Sequence, residues 1–68
     1  MEEKLRKQSI DRLDIGDNTI KILKETKIET LGKLCENNKI ELEYIGISQS
    51  EINKIEVELQ LLGLNLRS

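Results

Sequence analysis

Leu42-Glu43-Tyr44-Ile45-Gly46-Ile47-Ser48-Gln49-Ser50-Glu51-Ile52 is the stretch whose reading decides the fold. It reads as a short helix, a tight glycine turn and the start of a second helix. A turn of this helix-hairpin-helix kind presents backbone N–H groups at a helix N-terminus, where a phosphate can be held. Ser48-Gln49-Ser50-Glu51 has the form of a capping box. The Ser48 hydroxyl is expected to accept from the Glu51 N–H while the Glu51 carboxylate reaches back. Ile52, Ile55, Leu59 and Leu62 follow at helical spacing, and Gly63 supplies the stop.

Working back from the hairpin, the spacing predicts a brief helix from Lys39 to Tyr44 that buries Ile40, set off by Asn37-Asn38. Before it, Thr30 caps a short helix through about Cys35 that buries Leu31 and Leu34, with Ile28 anchoring the connection. A longer helix, capped by Gly16 or Asp17, runs to about Glu25. Its Ile20 and Leu23 turn inward, and Asn18, Lys21 and Lys24 share another face. Ser9 to Leu13 reads as a turn that places Ile10 and Leu13 together. Met1 to Gln8 reads as a frayed tail or one loose helical turn. Leu64 and Leu66 are expected to fold back onto the core. The fold class is therefore all-α, a compact bundle of four to five short helices. A charged N-terminal segment (1–9) leads into the helical domain (10–68).

Composition agrees with this class. The chain has 68 residues, enough for one small domain, and its 37% apolar content is almost all Ile and Leu. Tyr44 is the one aromatic and there is no proline, which suits packed helices better than a β-sandwich. With Cys35 as its single cysteine, the chain forms no internal disulfide and must rely on its core, as suits a reducing cytosol. No run approaches the roughly 18 apolar residues of a membrane span, and no signal-peptide core follows Met1. Without histidine, the commonest general base and metal ligand is missing. The carboxylates are scattered, so neither catalytic residues nor a metal site nor a cofactor is expected.

The order of these pieces resembles the C-terminal domain of the bacterial RNA polymerase alpha subunit. The resemblance rests on Ile10-Asp11-Arg12-Leu13-Asp14-Ile15, Leu23-Lys24, and Ile28-Glu29-Thr30-Leu31-Gly32-Lys33-Leu34. It continues through Ile40-Glu41-Leu42, the turn at Gly46-Ile47-Ser48, and Leu59 with Leu62-Gly63-Leu64-Asn65-Leu66. It spans about residues 10 to 66. It implies a bundle of short helices that performs no catalysis, binds A/T-rich DNA in the minor groove and touches activators and sigma factor. In that family an arginine enters the minor groove from the first full helix; here Asn18 stands there. The family's asparagine one turn later corresponds to Lys21, and its acid in the last helix to Lys54. Where the family has glycine, lysines and a serine at the hairpin, this chain follows Gly46 with Ser48, Gln49, Ser50 and Glu51.

The expected DNA-facing set is therefore Asn18, Lys21, Lys24, Gly46, Ser48, Ser50 and Lys54. Its charge is thin for the task, because the chain carries a formal net charge of −2 rather than the basic balance of a strong nucleic-acid binder. Asparagine cannot exploit the negative potential of a narrow minor groove as arginine does. Glu51 in the first turn favours the helix dipole but repels a phosphate in the same place. Val57 and Leu61 lie opposite the Ile52, Ile55, Leu59, Leu62 stripe. They either cover the segment around Leu5 or form an exposed seam for a protein partner or a second copy. The leading expectation is a cytoplasmic, bacterial, transcription-associated binding module. It would make weak contact with A/T-rich DNA, or contact sigma factor, a transcription regulator or RNA polymerase. The alternative is a protein-interaction or self-associating (homodimeric) module that has lost DNA binding.

Overall fold

The computed structural model describes residues 2–67, so Met1 and Ser68, included in the expected segments, lie outside the described residues. Five α-helices are found among them: α1 (Glu2–Arg6), α2 (Asp17–Glu25), α3 (Leu31–Cys35), α4 (Lys39–Tyr44) and α5 (Gln49–Leu61). A 3-10 turn at Ile10–Arg12 joins the first two. The protein is an all-α bundle.

Short polar residues open these helices. Thr30 accepts from the Lys33 N–H at the start of α3, and Ser48 from the Glu51 N–H at the start of α5. The complete capping box sits elsewhere than expected. It is built by Asn38 and Glu41 at the head of α4, where Glu41 N–H donates to Asn38 Oδ1 (2.8 Å) and Asn38 N–H to Glu41 Oε1 (2.9 Å). At α5 only half of the box forms, because the Glu51 carboxylate is drawn to other donors described below.

Three helices close alike. After α2, Ile28 N–H reaches Leu23 O and Lys27 N–H reaches Lys24 O. After α4, Ile47 N–H reaches Leu42 O and Gly46 N–H reaches Glu43 O. After α5, Leu64 N–H reaches Leu59 O and Gly63 N–H reaches Gln60 O. Each pair is the double hydrogen bond of a Schellman end, and the residue at its pivot has positive φ: Lys27 (65°), Gly46 (104°) and Gly63 (81°). In every case the residue after the pivot and the leucine five positions before it are buried: Ile28 on Leu23, Ile47 on Leu42, Leu64 on Leu59. One local device thus turns the chain three times and delivers an apolar pair to the core each time.

This pattern corrects the expected face of α4. Leu42 is the fully buried residue of that helix, and Ile40 is 77% exposed. Two residues are about 200° apart around a helix, so α4 cannot bury both. The Schellman pairing with Ile47 selects Leu42. The remaining core matches the expected stripes: Ile10, Leu13, Leu23, Leu31, Leu34, Ile52, Ile55 and Leu59 are buried, with Ile20, Leu62 and Leu66 partly buried against them.

The segment before Ile10 is attached to the bundle. Leu5 of α1 packs against the core, Leu31 N–H donates to Gln8 O (2.9 Å) and Ile10 N–H to Glu29 O (3.2 Å). Gly32 of α3 lies so close to α1 that a Cβ there would stand 3.1 Å from the Arg6 carbonyl oxygen.

Candidate functional site

The bundle brings the head of α2 against the α4–α5 turn. Between them lies a shallow cleft of about 300 Å³, lined by Gly16, Asn18, Thr19, Gly46, Ser48 and Glu51 among others. Three of the expected contact residues, Asn18, Gly46 and Ser48, thus share one wall-to-wall space although almost thirty positions separate the first two in sequence. Gly46 is needed there by its backbone, since φ of 104° strains any residue with a Cβ. Ser48 is the N-cap of α5.

Glu51 dominates the cleft. Its Oε1 accepts from the Gly16 N–H (2.8 Å) and from the Thr19 hydroxyl (2.7 Å), while Oε2 faces Lys54 Nζ at 3.4 Å. Thr19 is the buried polar residue of the core region, at 4% exposure, and this bond satisfies its hydroxyl. The hydrogen bonds from Thr19 and Gly16, with a smaller contribution from Lys54, hold the Glu51 carboxyl below the ordinary range for glutamate. A carboxylate therefore already occupies donors that an incoming anion would use.

The other expected cations are unevenly placed. Lys24 is bound to Asp11 (2.9 Å), and the same contact, helped by the Ser9 hydroxyl, holds the Asp11 carboxyl low. Lys54 is turned toward Glu51. Lys21 is exposed on α2 and makes no ion pair among the described residues; it lines an open groove of about 510 Å³ with Asp11, Asp17, Ile20, Lys24 and Glu25. Ser50 is exposed, its hydroxyl 3.4 Å from that of Ser48, and like Lys54 it does not line the cleft. The structure thus unites Asn18, Gly46 and Ser48 and leaves Lys21, Lys24, Ser50 and Lys54 around them.

Val57 (53%) and Leu61 (76%) are exposed, so they do not cover α1. Ile40 and Tyr44 (91%) are exposed as well, which puts all the large exposed apolar side chains among the described residues on α4 and α5. A groove of about 400 Å³ opens beside Ile40, lined by Asn38, Lys39, Glu56, Leu66 and Arg67. Two ion pairs brace it, Lys39–Glu56 (2.9 Å) and Arg67–Glu41 (2.7 Å). The Arg67 contact, with the Asn38 N–H, lowers the Glu41 carboxyl.

Sequence reasoning missed the role of Thr19 and the long-range use of two α5 carboxylates, Glu51 on Gly16 and Thr19 and Glu58 on the Asp14 N–H (3.1 Å). Glu51 and Glu58 stand seven apart on α5, one helical side, and that spacing was the available signal. Among the described residues no group of three or more His, Cys, Asp or Glu is arranged to hold a metal ion, and no helix is long and apolar enough to cross a membrane.

In class, then, this is a small all-α bundle with a polar cleft at a helix-hairpin-helix-like turn and an apolar outer surface on its last two helices. No protein-family model and no curated protein matches the sequence significantly.

Proposed function

We propose that the chain is a non-catalytic, transcription-associated binding module, cytoplasmic and bacterial, on a scaffold like the C-terminal domain of the RNA polymerase alpha subunit. The observation that carries the reading is the cleft: the positions that the resemblance makes DNA-facing on α2 and at the hairpin, Asn18, Gly46 and Ser48, line one space. Contact with A/T-rich DNA there is weak, because Glu51 holds negative charge in the cleft and Lys24 and Lys54 are already engaged. Of the three expected cations, Lys21, Lys24 and Lys54, Lys21 is the one without an ion pair among the described residues and meets the phosphate.

A second reading is favoured by the exposed Ile40, Tyr44, Val57 and Leu61: contact with a protein, whether sigma factor, a regulator, polymerase or a second copy, through α4 and α5. Amide NMR titration with an A/T-rich duplex, at low and then physiological salt, separates the two. Shifts at Asn18, Lys21, Gly46 and Ser48 that fade with salt support DNA contact, since phosphate neutralisation releases counterions. Absence of shifts at millimolar duplex eliminates it. The protein reading then stands on Val57→Lys with Leu61→Lys: it fails if the double variant changes neither self-association nor capture of sigma factor or polymerase.

A further inference from the structure

We propose that Glu51 and Glu58 form a two-point latch by which α5 holds the segment Asp14–Thr19, and that this latch releases without unfolding of the helices it joins. The inference goes beyond the binding reading and holds whether the partner is DNA or protein. Leu13 and Ile15 bury their side chains in the core, which turns the intervening backbone toward α5. Asp14 N–H donates to Glu58 Oε1 (3.1 Å) and Gly16 N–H to Glu51 Oε1 (2.8 Å); neither amide has a backbone acceptor among the described residues. Thr19 adds its hydroxyl to Glu51 at 2.7 Å. A Cβ at Gly16 would stand 2.8 Å from Glu51 Oε1, so a side chain there would push the carboxylate off the Gly16 N–H.

The charges around the latch oppose one another. Asp14 and Asp17 on the held segment repel the two glutamates, and Lys54 at 3.4 Å offsets this for Glu51. The latch is therefore the weaker fastening of this segment, while the buried side chains of Leu13 and Ile15 are the stronger one. Opening it frees the Gly16 N–H and the Thr19 hydroxyl, which line the cleft with Asn18 and Ser48, from the Glu51 carboxylate.

Amide proton exchange measured by NMR on the whole chain reads this directly. In Glu51→Ala the Gly16 amide should exchange about three- to tenfold faster, the effect of losing one hydrogen bond. Asp14 should respond likewise in Glu58→Ala. The Ile28 and Leu64 amides, which report the Schellman ends of α2 and α5, should accelerate less than these in both. The latch is overturned if Gly16 and Asp14 keep wild-type rates, or accelerate only in step with Ile28 and Leu64. Should Glu51→Ala fail to fold, the wild type decides by acidification from pH 6 to 3.5, through the Glu51 carboxyl that these bonds hold low. Protection at Gly16 must then fall before protection at Leu64, and simultaneous loss refutes the latch.

Discussion

Exchanging the pivots of the three Schellman ends, Gly46→Ala, Gly63→Ala and Lys27→Gly, tests whether backbone φ governs these turns. An added Cβ at Gly46 or Gly63 would meet no atom within 4 Å, so no clash contributes and the effect is that of the backbone. Left-handed backbone costs an L-residue roughly 1–2 kcal/mol. Replacing glycine recovers about 0.4–1 kcal/mol by restricting the unfolded chain. Gly63 (φ 81°) should therefore lose about 1 kcal/mol on becoming alanine. Gly46 lies farther from the left-handed minimum, at φ 104°, and should lose more, about 1–2 kcal/mol. Lys27 already sits at φ 65° with a side chain, so Lys27→Gly reverses the sign and leaves stability unchanged or raised by up to about 1 kcal/mol. Urea unfolding followed by far-UV circular dichroism measures all three, with the m-value expected to hold constant. Each kcal/mol corresponds to roughly 4–8 °C in Tm for a domain of this size. Gly63→Ala matching the wild type, or Lys27→Gly destabilising by as much as Gly63→Ala, would refute the argument from φ.

Leu59→Ala should cost roughly 2–5 kcal/mol and Leu61→Ala less than about 0.5, since the first is fully buried and the second 76% exposed two positions away; thermal melts of the pair settle it. Ile40→Ser should leave the urea midpoint close to wild type while Leu42→Ser lowers it sharply, and equal losses would return Ile40 to the core. Asp11, Glu41 and Glu51 all have carboxyls held low in the folded chain, so on acidification the unfolded chain takes up protons first. The stability they give is present above the ordinary carboxylate range, about pH 4 to 4.5, and is lost as pH falls through their lowered values. Urea midpoints should be level between pH 7 and 5 and decline below. Glu51→Ala should shallow that decline, and an unaltered slope would remove Glu51 from the account.

Helix positions in this chain are set by short-range signals, which is why Thr30, Ser48, Gly16 and Gly63 mark boundaries where the bundle has them. The inward face of a six-residue helix is a different matter. Ile40 and Leu42 are equally apolar, and periodicity over so few residues does not choose between them; the choice comes from Ile47 folding back on Leu42. The spacing leucine, three residues, pivot, aliphatic residue occurs at Leu23–Ile28, Leu42–Ile47 and Leu59–Leu64, and read as a helix-ending unit it would have placed Leu42 inside. Lys27 concealed the first instance by standing where glycine is usual. The cleft was less legible still. Ser48 and Glu51 fit a local capping box, and only the fold reveals that Gly16 and Thr19, thirty-two or more positions away, offer Glu51 better donors than its own N-cap does. A carboxylate near two competing donor sets goes to the set held fixed by the core, and Thr19, at 4% exposure, would leave a buried hydroxyl unsatisfied without it. That demand is long-range, and it explains why the residue whose spacing looked purely local became the link between α2 and α5.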